Sequence, residues 1–345
     1  MRFAPRNFEE LDPRGRAQER QRRQSTSAAK SEQESNHLIS EAIPGWLREG
    51  FPAAKTQAAY FTAGASLALL NQRLDCSQLF GGVMSRRLAL RAAAAAARLM
   101  RLREDEGQLR DAAHLESFGD PGRAGRLHRL WRQLVVAAPL IDEVALGQAC
   151  ELLDLPTPQG LPTLIGQLQA LAAAPDDPVS LAAQAAGVFG GLPAGPEREI
   201  LGFWAADKVL AARIGWERPL PLFMATALDS SLRRRPDGRR ARPGDADWPT
   251  VSAEIATKAA IAAHDLAGEL ARRAERLRTI APLLRARGAR IVIDLLLADD
   301  CVAPSFASRR AGLSDRATRR LFDRLIELGV VRELSGRNTF RLYGL

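Results

Sequence analysis

Apolar positions recur at a helical period through most of the chain. Between Ala54 and Leu74 they fall at Ala59, Ala63, Ala65, Leu67 and Leu70, close to the 3.6-residue repeat that marks one helix face. Ser85–Leu102 carries Leu88, Leu90, an unbroken Ala92–Ala97 run, Leu99 and Met100. An alanine run presents a thin surface that lets a neighbouring helix come close, so this segment is expected at the centre of the core. Asp120-Pro121-Gly122 interrupts the pattern, with proline suited to a first helical turn. Arg123–Ala138 resumes it with Leu127, Leu130, Trp131 and Leu134. Further helices are expected over Ile141–Leu153, Leu161–Ala173, Pro178–Phe189 and Pro196–Ile214, punctuated by Pro/Gly clusters at Pro156–Pro162, Pro175–Pro178 and Gly190–Pro196. No fixed-period repeat supports a solenoid.

Two stretches break this regularity. Residues 1–40 are rich in Arg, Glu, Gln and Ser and have almost no apolar period. Such a tail buries too little surface to offset chain entropy and is expected to be disordered. Its Arg14, Arg16, Arg20, Arg22 and Arg23 are read first as solvated charge. Residues 231–248 hold six arginines (Arg233, Arg234, Arg235, Arg239, Arg240 and Arg242) among Pro and Gly. Like charges repel and no core-forming face is evident, so a mobile loop is expected, with a phosphate-binding arm as the sharper alternative. Beyond it, Val251–Arg287 reads as one long helix or two joined near Pro282. Ile255, Ala259, Ala262, Leu266, Leu270, Ala274, Leu277 and Ile280 form its apolar face, and Glu269, Arg272, Arg273, Glu275 and Arg276 lie opposite. Such a helix packs on the body or against a second chain.

The last stretch changes character. Ala289–Leu297 is a strongly apolar helix, and Phe306–Ala311 is a short second one after Pro304. Ser314 is a good N-cap for a third helix over Asp315–Leu328, because its hydroxyl can accept from first-turn N–H groups. Asp315 complements the positive helix end, and Gly329 closes the helix. Ala317, Leu321, Leu325 and Leu328 share one face of it, while Arg316, Arg319 and Arg320 fall largely outside that face. Val330–Leu334 and Thr339–Tyr343 are the most strand-like segments, joined by Ser335-Gly336-Arg337-Asn338 as a hairpin turn. Three helices followed by a hairpin is the winged helix-turn-helix order, in which the third helix enters the major groove and the wing lies along the backbone. The candidate nucleic-acid contacts are therefore Arg316, Arg319 and Arg320 on the helix, Arg309 and Arg310 before it, and Arg337 in the wing. Thr318 and Asn338 are candidates for added polar contacts, and Arg324 for pairing with Asp323 or Glu327. Arginine suits both guanine edges and phosphate.

Composition sharpens this picture only in part. Ala and Leu are abundant and aromatics make up 6% of the 345 residues, which favours an all-α body. The formal charge of +9 raises the prior for a polyanionic partner. Nearly all of the excess is arginine, and arginine also follows genomic base composition, so the charge is discounted. Cys76, Cys150 and Cys301 are isolated and odd in number, which argues for a reducing compartment and against a thiolate metal site. No apolar run is long enough for a membrane span, and the N-terminus lacks the apolar core of a signal peptide. The cytoplasm is the expected compartment. His37, His114, His128 and His264 show no metal-ligand spacing, and no dinucleotide fingerprint, phosphate-binding loop or nucleophile elbow occurs. No cofactor, metal or catalytic residue is therefore expected. Arg101, Arg103, Glu104, Asp105, Glu106, Arg110, Asp111 and His114 form the one constellation with acid–base potential. Glu106 and Arg110 stand at ordinary ion-pair spacing, so salt bridges at a helix junction are favoured there.

Several stretches together resemble a known family: the helix Arg87–Leu99, the run Arg103–Glu106 with Leu109–Ala112, the segment Asp120–Gly125, and Leu313–Leu325 through Gly336-Arg337 to Phe340–Leu345. Over most of the chain after about residue 55, the sequence resembles the alphaproteobacterial family defined by domain of unknown function 1403. That resemblance implies a bacterial protein, often plasmid-borne, and transfers no catalytic residue. The expected organisation is a tail over 1–40, a helical body over 41–230, an Arg/Pro/Gly-rich loop over 231–248, a long helix over 249–287 and a winged helix-turn-helix over 288–345. The expected partner is DNA, in a regulatory role. A protein-interaction or homodimer module is the runner-up, and an enzyme built on the 104–114 cluster comes third.

Overall fold

A computed structural model describes residues 43–49, 56–75, 77, 79–115, 121–233, 238–284, 288–335 and 341–345. The expected tail over 1–40, together with Arg234, Arg235, Arg337 and Asn338, lies outside the described residues. Residues Ile43–Leu345 form one compact unit. The architecture is mostly helical. The helices are α1 (Gly45–Glu49), α2 (Thr56–Asp75), α3 (Gly81–Leu99), α4 (Glu106–Leu115), α5 (Gly122–Leu134), α6 (Glu143–Leu152), α7 (Leu161–Ala173), α8 (Pro178–Gly187), α9 (Pro196–Ile214), α10 (Leu222–Thr226), α11 (Trp248–Ile280), α12 (Ala289–Ala298), α13 (Pro304–Ala311) and α14 (Asp315–Glu327). Two short antiparallel strands, β1 (Arg332–Glu333) and β2 (Tyr343–Gly344), follow α14, with Arg332 opposite Gly344 and Glu333 opposite Tyr343.

The alanine run lies at the centre of the body. Ala92 through Ala97 are all buried, so this stretch of α3 is apolar around its circumference and is enclosed by neighbours, as such a segment must be. Close approach recurs elsewhere. A Cβ on Gly202 in α9 would stand 2.5 Å from the Ala186 carbonyl oxygen of α8, a gap that only glycine leaves open. The 33-residue α11 packs along α2 through small side chains, among them Ala59 and Ala63 on one side and Ala256, Ala260 and Ala263 on the other, all buried. Its buried surface is wider than the stripe read from the sequence. Ala253, Ala263 and Ala267 are covered, whereas Ala262 is exposed. The difference arises because α11 touches α8 and α10 as well as α2, so two faces are covered.

The body also holds two buried charged groups in the middle of α9. Asp207 accepts from the backbone N–H groups of Leu222 (2.9 Å) and Phe223 (3.1 Å), which caps the first turn of α10. Burial pushes its carboxyl well above the usual range, partly offset by those N–H groups. Lys208 donates to the carbonyls of Ala138 (2.8 Å) and Leu140 (2.7 Å) and so pins the turn after α5.

The arginine-rich segment is more anchored than its charge predicts. Leu232 and Ala241 are buried, and Arg240 pairs with Glu199 of α9. Glu199 lies 41 residues earlier, a partner that no local charge pattern reveals.

Residues 289–345 share their core with the body. Ala289, Val292, Leu296, Phe322, Tyr343 and Leu345 belong to the same buried cluster as α3 and α11. A Cβ on Gly82 at the start of α3 would stand 2.8 Å from the Ala298 backbone, so the end of α12 rests directly on α3. Arg87 of α3 donates to the Leu345 carbonyl at 2.9 Å.

Candidate nucleic-acid interface

The C-terminal elements explain their own order. Pro304 occupies the first turn of α13, and Gly312 ends that helix in the left-handed region at φ 63°. Three residues, Gly312, Leu313 and Ser314, then turn the chain into α14. The Ser314 hydroxyl accepts from the Ala317 N–H at 3.3 Å, the cap expected from the sequence. Gly329 at φ 65° ends α14, with the Val330 N–H returning to the Leu325 carbonyl at 3.2 Å. Phe322 stacks on Tyr343 with ring centroids 4.3 Å apart, which fixes α14 against β2. The backbone of Val302, between α12 and α13, exchanges both hydrogen bonds with Tyr343, at 2.7 and 3.0 Å. Val302 thus extends the two strands on the far side of β2.

The two faces of α14 differ sharply. Thr318, Leu321, Phe322 and Leu325 are buried. Arg316, Arg319 and Arg320 are exposed, as are Arg309 and Arg310 at the end of α13. None of these five arginines pairs with an acidic side chain among the described residues. Further along α14, Arg324 is neutralised by Glu327 at 2.9 Å. The free positive charge therefore sits on the N-terminal half of the helix. Beside it, Arg332 on β1 is exposed, and Arg341 faces Glu333 at 3.8 Å. Neither Arg332 nor Arg341 is among the wing candidates that the sequence offers, which lie in the turn between the strands.

Thr318 corrects an expectation. It was a candidate polar contact, but its side chain is fully buried and Oγ1 has no partner among the described residues. Its spacing from Leu321, Phe322 and Leu325 places it on the inner face of α14, so it faces the core. Replacing it with the isosteric Val removes an unsatisfied buried hydroxyl. Thr318→Val is expected to leave stability unchanged or to raise it by about 1 kcal/mol, without altering nucleic-acid affinity. Urea denaturation and a binding titration on the same sample check both halves, and a loss of affinity would return Thr318 to the interface.

Within the 104–114 constellation the described contacts are a helix cap and an ion pair. Asp105 and Gln108 form a reciprocal cap at the start of α4, at 2.8 and 2.9 Å. Arg110 reaches Asp300 at 3.2 Å where Glu106 had been the expected partner. The His114 side chain lies outside the described residues. Among the described residues no group of three His, Cys, Asp or Glu is placed to hold a metal ion, and no helix is long and apolar enough to cross a membrane.

Arg110 belongs to the junction that seats the C-terminal elements. Arg132 of α5 donates to both oxygens of Asp299, at 2.6 and 3.0 Å, and to Asp300 at 3.3 Å. Arg86 of α3 donates to the Arg132 carbonyl at 3.0 Å. Burial, followed by the adjacent Asp299, pushes the Asp300 carboxyl up to about 6 against the pull of Arg132 and Arg110. Burial also acts to raise Asp299, but the hydrogen bond from Arg132 prevails and brings it down to about 2. Cys301, next in sequence, is a buried thiol raised by burial and by both carboxylates.

A family model described as "Protein of unknown function (DUF1403)" matches residues 31–345. The chain belongs to the DUF1403 family. No curated protein matches it. The matched span includes all of the described elements of this DUF1403 chain, with the Arg132–Asp299–Asp300 junction and both faces of α14 inside it.

Proposed function

We infer that this chain is a DNA-binding protein, regulatory in role, whose residues 288–345 act as a winged helix-turn-helix. The observation that carries the reading is the arrangement of α14. Its apolar face is buried, packed beside α13 and with Phe322 stacked on Tyr343 of β2, and the opposite face offers Arg316, Arg319 and Arg320 to solvent without acidic partners among the described residues. The three-residue turn between α13 and α14 supports it, since helix-turn-helix units join at that length and often with glycine. So does the position of Val302 beside β2, which supplies a third strand position at the base of the wing. In this geometry the N-terminal residues of α14 meet base edges. Arg309, Arg310 and Arg332 meet phosphates.

A titration of duplex DNA across a salt series tests the reading. Each phosphate contact contributes a slope of about −0.9 in log K against log salt. The Arg309→Ala, Arg310→Ala double variant is expected to lower that slope by about two units with sequence preference retained. An unchanged slope removes both residues from the interface.

A second reading has its own observation. Phe306 on α13 and Ile291 on α12 are 44% and 42% exposed, and such side chains suit a protein partner. Under that reading the chain self-associates or captures a protein through α12 and α13, and sedimentation of the purified chain distinguishes it.

A further inference from the structure

The geometry points to a binding site for a small amphipathic anion, an apolar skeleton carrying a carboxylate or phosphate, in the cavity between the end of α3 and the start of α9. The cavity encloses about 540 Å³, within the range of small-molecule sites. Its apolar floor includes Met100 and Phe189, the latter buried. Three arginines, Arg101, Arg198 and Arg242, are among its lining residues, with one acidic residue, Glu199. Glu199 is already neutralised by Arg240, and Glu197 in the same turn by Arg123 at 3.1 Å. The positive charge of the lining is therefore uncompensated. Arg198 is held in place by its bonds to the carbonyls of Gly190 (3.4 Å) and Leu192 (3.0 Å). The side chains of Arg101 and Arg242 make no hydrogen bond or ion pair among the described residues, so both are available to a ligand.

The backbone at Arg101 adds a second observation. The Arg101 N–H returns to the Arg98 carbonyl at 3.1 Å and the Leu102 N–H to the Ala97 carbonyl at 2.9 Å. These bonds close α3 with the motif that normally places glycine in the left-handed region. Here that residue is arginine at φ 58°. A glycine would close the helix without the Cβ strain, but it would remove one guanidinium from the cavity. The site is independent of the DNA reading, because it uses no residue of α12–α14.

Calorimetric titration of the full chain with phenyl phosphate tests the assignment, with inorganic phosphate and benzyl alcohol as the two half-ligands. Phenyl phosphate is expected to bind with Kd at or below about 1 mM, and each half-ligand at least about tenfold more weakly, a difference of about 1.4 kcal/mol. Arg101→Gly and Arg242→Ala are each expected to weaken phenyl phosphate at least tenfold by the same scale. Arg101→Gly should melt at the same temperature as the parent or higher, which separates loss of the site from loss of the fold. Absence of phenyl phosphate binding, or affinity unchanged in both variants, overturns the site. Inorganic phosphate binding as tightly as phenyl phosphate overturns the amphipathic class.

Discussion

Replacing Arg316, Arg319 and Arg320 together with Ala is expected to weaken DNA binding by about 10²–10⁴-fold while leaving the fold intact. The magnitude follows from the geometry. A guanidinium placed against a guanine edge contributes roughly 1–3 kcal/mol, and three such residues on one helix are coupled, so the combined effect falls short of their sum. The fold is spared because all three side chains are exposed and the buried face of α14, Thr318 with Leu321, Phe322 and Leu325, is untouched. Removing positive charge from the first turns of α14 also relieves an unfavourable interaction with the helix dipole, so the melting temperature should hold or rise slightly. Fluorescence anisotropy and a thermal melt on the same preparation check the two parts. Full affinity in the triple variant would remove α14 from the interface.

The second large effect concerns the junction under the C-terminal elements. Arg132→Met keeps the unbranched apolar stem but strips Asp299 and Asp300 of their shared donor. Buried Asp300 then keeps Arg110 alone and the partly exposed Asp299 loses both of its guanidinium hydrogen bonds, which costs up to about 3 kcal/mol. The loss should depend on pH. In the parent protein Asp300 is raised from 3.8 to about 6, so the folded state holds that proton where the unfolded chain has released it. Stability therefore falls as pH climbs from about 4 to about 6 and is level above. Asp299 is lowered from 3.8 to about 2. Its contribution is present above 3.8 and is lost as pH falls toward 2. Without Arg132 both carboxyls move upward, so the deficit is largest at neutral pH and shrinks toward pH 4. Urea denaturation of both proteins at pH 4.5 and 7.5 measures it. An equal deficit at the two pH values would mean that Arg132 acts through packing alone.

Much of this architecture is legible in the residues. The Leu161–Ala173 and Pro196–Ile214 helices begin and end where their Pro and Gly punctuation puts them, because those signals act locally on the backbone. The Ser314 cap and the Gly329 stop were visible for the same reason. The pairings that lock the molecule together were not. Arg132 and Asp299 are 167 residues apart, and Arg110 and Asp300 are 190 apart. No periodicity connects such pairs, and a local reading assigned Arg110 to Glu106. The cavity arginines stayed hidden too, since Arg101 and Arg242 come to line one cavity only when α3 and the segment before α11 fold together. Thr318 is a different case. Its helical spacing from Leu321 and Leu325 already placed it inside, and its hydroxyl drew the reading outward.

The most direct measurement is selection of duplex DNA from a random-sequence library by the full chain at physiological salt, run in parallel with the Arg316, Arg319, Arg320 triple alanine variant. Enrichment of one sequence by the parent and none by the variant is the predicted result, because base contacts specify and phosphate contacts only position. Weak binding that enriches nothing and vanishes with modest salt would contradict it, and would reduce the arginines of α14 to surface charge.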